Sequence, residues 1–386
     1  MNEVISVPVD MAPVPPPIPG RAERVAFTGR RVDFRRLVTR GTALELVTVG
    51  FYRFWLATDL RRHLWANTVV EGDPAEYTGT AKELFIGFLF ALAILAPIYL
   101  AYFLAGLEAE RIKAFASFPL VLFFFLFAQF AIYRARRYRL TRTVWRGVRF
   151  WMWGSGVSYA WRAGLWVLAA IFTLGGLAPF AKASLERYKM RHTAYGDLQG
   201  RFEGSGWELF KKTWWLWLLL WPSFLVMIPV PFIYAELKGI EWRWWLSGLR
   251  FGGVSIRSNL AGGALMDLYW KVIGWSVLLF VALSVWFGTI FTIGVQSVSA
   301  PVPEQQKVQI ALQKLPVLLG LGFGYIVAAL AFGLILRIYL MRDVWQRVAE
   351  SVTVENLAAA DNVTAQGHLV SALGEGFADS LDVVGF

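Results

Sequence analysis

The chain has 386 residues, 57% of them hydrophobic and 17% charged, with a formal net charge of +11. Soluble domains hold about 45–50% apolar and about 25% charged residues, so an ordinary water-soluble fold is excluded. Cysteine is absent and the histidines are His63, His192 and His368, which rules out disulfides, thiol nucleophiles and thiolate metal sites and argues against a histidine-built centre; no metal and no cofactor is expected.

Residues 1–24 carry Glu3, Asp10 and the run Pro13–Pro19. With no continuous apolar stretch they are not a signal peptide, and they are expected to form a disordered, proline-rich cytoplasmic tail. Apolar blocks then follow. Leu84–Gly106, Phe115–Tyr133, Trp270–Val295 and Pro316–Tyr339 have the roughly 20 residues that cross a hydrocarbon core of about 30 Å. Thr213–Ala235 is as apolar but contains Pro222, Pro229 and Pro231, so a kink or break is expected there. Gly41–Ala57, with Glu45 and Arg53 inside it, and Gly164–Ala181 are shorter and read as spans, re-entrant elbows or interfacial helices.

Charge chooses among these options. Residues 1–40 and residues 134–149 each hold seven arginines, the second stretch with no acid. By the positive-inside rule both lie in the cytoplasm, so residues 84–133 form a hairpin with both ends cytoplasmic. An even number of crossings must then separate residue 40 from residue 84, and Gly41–Ala57 is expected to dip in and return or to lie flat. Basic residues beside apolar blocks suit anionic lipid headgroups as partners and argue against nucleic acid. Protein partners and oligomeric state leave no mark in the sequence.

Shifted by 125 residues, Thr48–Phe85 matches Thr173–Phe210 without a gap, with nine identities in 38 pairs, where chance gives roughly two or three. They include Thr48/Thr173, Gly50/Gly175, Arg62/Arg187, Thr68/Thr193, Gly79/Gly204 and Glu83/Glu208. A second match, shifted by 101, sets Arg142, Gly147, Arg149 and Phe150 against Arg243, Gly248, Arg250 and Phe251. Thr80-Ala-Lys-Glu83 and Ser205-Gly-Trp-Glu208 fit the capping box at a helix start. Thr143–Phe150 around Arg146-Gly147 reads as a β-hairpin, as do Trp244–Phe251 around Ser247-Gly248 and Asn67–Thr78 around Gly72-Asp73-Pro74. Single hairpins are marginal alone, so these are expected to pair with one another. The expected fold is mainly α: a polytopic membrane protein with about 6–7 membrane-embedded helices, internal repeats and short cytoplasmic β-hairpins. Its parts are the tail 1–24, a membrane domain 25–345 with repeats over about 27–150 and 165–257, and a cytoplasmic C-terminal tail 346–386.

These motifs resemble the YjgN family of bacterial inner-membrane proteins, a family of unknown function. Phe27-Thr-Gly29, Thr48-Val-Gly50, Asn67-Thr68, Thr173-Leu-Gly175, Arg187-Tyr188, Phe202-Glu-Gly204, Trp145–Phe150 and Gly374–Asp379 carry the likeness, which covers most of residues 25–386. Tyr52–Trp55 departs from the expected Tyr-x-Pro-Trp, and His192 replaces the second Asn. The resemblance implies a multi-pass protein of the bacterial inner membrane and supplies no activity and no catalytic residues.

Candidate ligand-binding residues follow from charge in unusual places. Glu45 is an ionisable group inside an apolar block, a functional candidate by default, with Arg40 or Arg53 as expected partner. Arg62, Arg187, Arg142, Arg149, Arg243 and Arg250 recur beside glycines and suit phosphate, against a competing reading as positive-inside anchors. Glu83 and Glu208, with Thr80 and Ser205, read as structural caps. Tryptophans at block edges, Trp207, Trp214, Trp215, Trp242, Trp244 and Trp245, read as an aromatic belt. No HExxH, GxSxG, Walker A or Asp-rich motif occurs, so catalysis is not expected. The leading expectation is transport or binding of a small or lipid-like solute. A membrane scaffold without transport is the alternative, and a lipid-directed membrane enzyme a third.

Overall fold

The computed structural model describes residues 22–108, 113–226, 229–299, 302–367 and 369. The tail residues 1–21 and the motif at Gly374–Asp379 lie outside them. Eleven short strands hold the helices together. They are β1 (Glu23–Arg24), β2 (Ala26–Phe27), β3 (Thr68–Val70), β4 (Asp73–Tyr77), β5 (Thr143–Trp145), β6 (Val148–Met152), β7 (Thr193–Tyr195), β8 (Leu198–Phe202), β9 (Leu249–Phe251), β10 (Val254–Ser258) and β11 (Val352–Glu355).

The strands form one antiparallel ring. Their order is β1-β11-β10-β9-β8-β7-β6-β5-β4-β3-β2, and its two end strands are consecutive in the chain with only Val25 between them. The Val25 N–H donates to Val352 O at 3.0 Å, so β1 and β2 act as one bent strand that joins both edges. Connections alternate. β3–β4, β5–β6, β7–β8 and β9–β10 are joined by tight turns. Glu71-Gly72 and Arg146-Gly147 have positive φ at both positions, as a type I′ turn demands. Every other connection is a pair of antiparallel helices: α1 (Arg31–Val47) with α2 (Arg53–Ala66), α3 (Ala81–Glu108) with α4 (Lys113–Thr141), α5 (Gly156–Phe172) with α6 (Ala178–Arg191), and α7 (Gly206–Val226) with α8 (Val230–Ser247). In the fifth, α9 (Met266–Gln296) and the short α10 (Glu304–Gln313) precede α11 (Leu315–Leu336), which continues through a π-helix (Arg337–Asp343) into α12 (Val344–Glu350). In an up-and-down ring alternate connections share an end, so all five helical hairpins hang from one rim.

The ring is filled. Phe150 on β6 and Phe251 on β9 lie three strand spacings apart along the sheet, about 14 Å, yet their rings meet at 5.8 Å. Trp145 on β5 reaches Tyr195 on β7 at 5.8 Å. Both pairs must therefore point inward. Val25, Val254, Val354, Leu357 and Ala360 join them in one core, with Val148, Leu198, Ile256 and Val363 packed against it. The chain after β11 lies over the turn end of the ring, where Asp361 pairs with Arg146 and Thr364 N–H donates to Asp197. β11 and this cap fall inside the stretch 346–386 expected as a tail. Four residues of strand carry too little pattern to stand out in sequence, and only pairing with β1 and β10 reveals them.

Among the described residues, four helices are long and apolar enough to cross a membrane: Ala81–Phe103, Pro119–Thr141, Met266–Gln296 and Leu315–Glu350. They correspond to the four clear blocks; the expected count of 6–7 is not confirmed beyond these four candidate spans. The other three blocks each contain the bend of a hairpin. Gly41–Ala57 turns at Thr48–Tyr52, Gly164–Ala181 at Thr173–Leu177, and Thr213–Ala235 between α7 and α8. Apolar residues on both sides of a bend read as one block in a linear scan. The first two elbows are built alike. Thr48 and Thr173 cap α1 and α5 through their hydroxyls, bonded to Leu44 O at 2.7 Å and Ala169 O at 2.9 Å. Val49 and Leu174 take φ near +50°, and Gly50 and Gly175 take φ +86° and +91°, a conformation that favours glycine.

The turn expected at Ser247-Gly248 is also corrected. Trp244–Ser247 continue α8, Gly248 caps it, and the β9–β10 turn falls at Gly252-Gly253. Nothing in Trp244–Leu246 breaks a helix that starts at Val230, and Gly252 supplies the positive φ.

One consequence is open to labelling, since the chain has no native cysteine. Single cysteines at the exposed ring positions Glu76→Cys, Asp197→Cys and Arg257→Cys should all react with a membrane-impermeant maleimide from the same side of a vesicle. Opposite-side reaction at any one of them would contradict the common rim.

Candidate functional site

The candidate residues gather where helices meet the ring. Arg62 on α2 donates to Gly79 O at 2.9 Å, and Arg187 on α6 donates to Gly204 O at 3.1 Å. Each ties a returning helix to the turn that starts the next one. Those glycines are required: a Cβ at Gly79 would lie 2.6 Å from the Tyr77 ring, and at Gly204 2.4 Å from the Phe202 ring. The aromatic-x-Gly motif is thus a ring folded back over its own turn, repeated by Phe27 on Gly29. Asn67 and His192 also share a role, each bonding at 2.7 Å to the carbonyl four residues back in the helix it ends. The Asn-to-His departure is conservative in this respect.

Arg142 is buried and grips the carboxylate of Glu83 at 2.5 and 3.1 Å, with the Tyr138 hydroxyl donating to it at 2.8 Å. Glu83 also completes the capping box, both bonds with Thr80 being 3.3 Å. It therefore caps α3 and locks α3 to α4. Its counterpart is weaker: Ser205 accepts from Trp207 N–H at 3.3 Å, while Glu208 turns to Lys212 at 2.6 Å. Arg149 donates to Thr141 O and to the Thr78 hydroxyl. Arg250 donates to Ser247 O and Leu249 O and pairs with Glu203 at 3.1 Å. Arg243 is half-buried on α8. Because the β9–β10 turn is displaced, the 101-residue pairing of Arg142 with Arg243 and of Arg149 with Arg250 does not correspond to equivalent places in the ring.

Glu45 is buried on α1 and takes a bidentate pair with Arg337, both bonds 2.8 Å, across 292 residues of sequence. Arg40, one of its expected partners, is exposed on the outer face of α1. Arg337 opens the π-helix, and that segment also carries Arg342, which donates to Gly29 O at 2.7 Å, and Asp343, which takes Arg31 at 2.7 Å. Charge-assisted bonds of this kind are short and directional. Together they fasten the last helix to the first.

A further half-buried cluster has no sequence signature beyond its arginine-rich neighbourhood. Arg136 on α4 pairs with Glu186 on α6 at 3.1 Å, Lys189 contacts the same carboxylate, and Arg136 lies 5.8 Å from the Trp245 ring of α8. Burial alone would raise the Glu186 carboxyl. The charges of Arg136 and Lys189, with hydrogen bonds from Lys189 and Trp245, outweigh it and hold the group at about 2. Burial pushes Lys189 below its usual range, against the pull of Glu186. The tryptophans divide likewise: Trp207, Trp214 and Trp215 are exposed, whereas Trp244 is buried with its indole N–H on Ser205 O at 3.0 Å, and Trp242 and Trp245 pack on the core.

The structure thus places most of the candidates along the rim and Glu45 near the elbow of α1, rather than around one pocket. Among the described residues no three His, Cys, Asp or Glu side chains converge as a metal site. Residues 22–239 match the family DUF898, described as a bacterial protein of unknown function; this is the family that includes YjgN, in keeping with the motif resemblance. No curated protein and no solved structure matches.

Two outcomes follow for the buried pairs. Glu186→Gln leaves Arg136 and Lys189 without a counter-charge and should cost about 3–5 kcal/mol at neutral pH. The folded pKa of Glu186, about 2, lies below the ordinary glutamate value of 4.5, so its contribution is complete above about 4.5 and vanishes as pH falls through 2. The gap in Tm between wild type and Glu186→Gln should therefore close on acidification. Glu45→Gln should lower Tm by a similar mechanism, and adding Arg337→Met should recover part of the loss, because removing both charges is milder than stranding one.

Proposed function

The chain belongs to the DUF898 family of bacterial proteins, and on that premise we propose that it is a non-enzymatic, multi-pass protein of the inner membrane that binds a lipid-like solute from the bilayer, its ring and N-terminus in the cytoplasm. The observation that carries this reading is the filled ring. Trp145, Phe150, Tyr195 and Phe251 occupy its interior, so the axis offers a solute no passage there. The outer faces of the helices are apolar instead, with Val49, Phe172 and Leu225 each more than four-fifths exposed. Contact with lipid is what such surfaces suit. The cytoplasmic placement rests on the basic residues of the rim, and anionic headgroups are the partners they fit.

The five strand–helix–helix–strand units read as copies of one ancestral element. The matched roles of Thr48 and Thr173, Gly50 and Gly175, and Arg62 and Arg187 support that origin. The solid ring also favours a second reading, a scaffold that organises other membrane components without holding a solute.

Lipid extraction from protein purified in mild detergent separates the two. Phospholipid retained in a fixed ratio to protein is the expected result, together with proteoliposomes that stay tight to a small trapped dye. Protein free of lipid would sink the binding reading, and dye leakage would sink the argument from the filled ring.

A further inference from the structure

The outward face of α1 differs from every other arginine-bearing surface described above. Val32, Arg35, Arg36, Thr39, Arg40 and Ala43 line a shallow groove of about 560 Å³. Their spacing places them on one helical face. Arg35, Arg36 and Arg40 are exposed, and no hydrogen bond or ion pair engages them among the described residues, whereas Arg62, Arg142, Arg187, Arg250, Arg337 and Arg342 are all bound within the fold. The acids of α1 are elsewhere: Asp33 pairs with Arg30 and Glu45 with Arg337. The face is therefore purely cationic.

It is also graded. α1 leaves the ring at Arg31, passes the three arginines within its first ten residues, and ends in the exposed apolar residues Leu46, Val47, Val49 and Phe51 of the elbow. Seven residues of helix, about 10 Å, separate Arg40 from Val47. Charge nearest the ring and hydrocarbon beyond it is the polarity of a phospholipid standing in a leaflet. The unit itself does not demand this pattern. α5 occupies the corresponding place, and Trp161 and Leu165 stand there where α1 has Arg36 and Arg40, both exposed.

We propose that this groove is a site for one anionic phospholipid, its phosphate held by Arg35, Arg36 and Arg40 and its acyl chains laid along Ala43, Leu46 and Val47. The proposal rests on the lipid-binding reading above. Guanidinium groups match phosphate oxygens in pairs, and each cation near an anionic surface is worth about fivefold in affinity.

The test is native mass spectrometry of full-length protein released from vesicles of phosphatidylglycerol and phosphatidylcholine in equal parts. Wild type should retain phosphatidylglycerol in preference. The triple variant R35Q/R36Q/R40Q, altered only at exposed positions, should lower that preference about a hundredfold, and Lys211→Gln on exposed α7 should not change it. Ala43→Trp keeps every charge but obstructs the groove, and should lower the preference too; no effect would reduce the site to diffuse surface charge and overturn it. An unchanged preference in the triple variant would overturn it as well. So would increased retention after removal of residues 1–21, which would make the protein's own tail, with Glu3 and Asp10, the occupant. Wild type that retains neither lipid would refute the lipid-binding reading itself, whereas retention without preference refutes this site alone.

Discussion

Closure of the ring is the constraint on which the rest depends. A strand edge left open exposes unpaired N–H and C=O groups and invites association. Here the last strand, β11, inserts between β10 and β1, and β1 bends at Val25 into β2, so no edge remains. No two- to five-residue strand could stand alone. Their stability is collective, and it requires Glu23–Arg24 to meet Thr353–Val354, more than three hundred residues on. The same seam is fastened outside the sheet by Arg342 on Gly29, Arg31 on Asp343 and Arg337 on Glu45. The π-helix lies at this seam, and its altered winding places Arg337, Arg342 and Asp343 against the first helix.

Once the ring is closed, the helices have little freedom. Each pair leaves and returns to one rim, so each contributes zero or two crossings regardless of its length. Short elbows and full-length hairpins can then coexist in one architecture. Arg62 and Arg187, and Arg142 with Glu83, act as joints between ring and helix. These charges are largely consumed by the fold, which turns attention to the ones that are not, on the outer face of α1.

The buried charges carry a cost that the arrangement offsets only by pairing. Arg136, Lys189 and Glu186 draw three helices together, and Glu45 with Arg337 joins the first to the last. Buried pairs are weak evidence for stability but can select one register over others. In a protein of five similar units, where helices could pair with the wrong neighbour, we regard that selectivity as their use.

The candidate membrane-spanning helices, the elbows, the first capping box and two of the three hairpins were legible in the sequence, because each depends on residues close together in the chain: apolar runs, Thr48-Val-Gly50, Thr80 with Glu83, Arg146-Gly147. The bend inside Gly41–Ala57 agrees with the short, dipping or flat element that its charge balance suggested. The ring did not, since pairing one hairpin with the next joins residues across whole helical connections. Arg337 as the partner of Glu45 lay 292 residues away, and β11 was too short to carry a period. Sequence by itself thus determined the long apolar helices, the glycine-bearing elbows and the local turns at Gly72 and Gly147. Only the tertiary structure decided which arginines are spent inside the fold and which face outward, because a charge's partner is set by where the ring brings distant segments together.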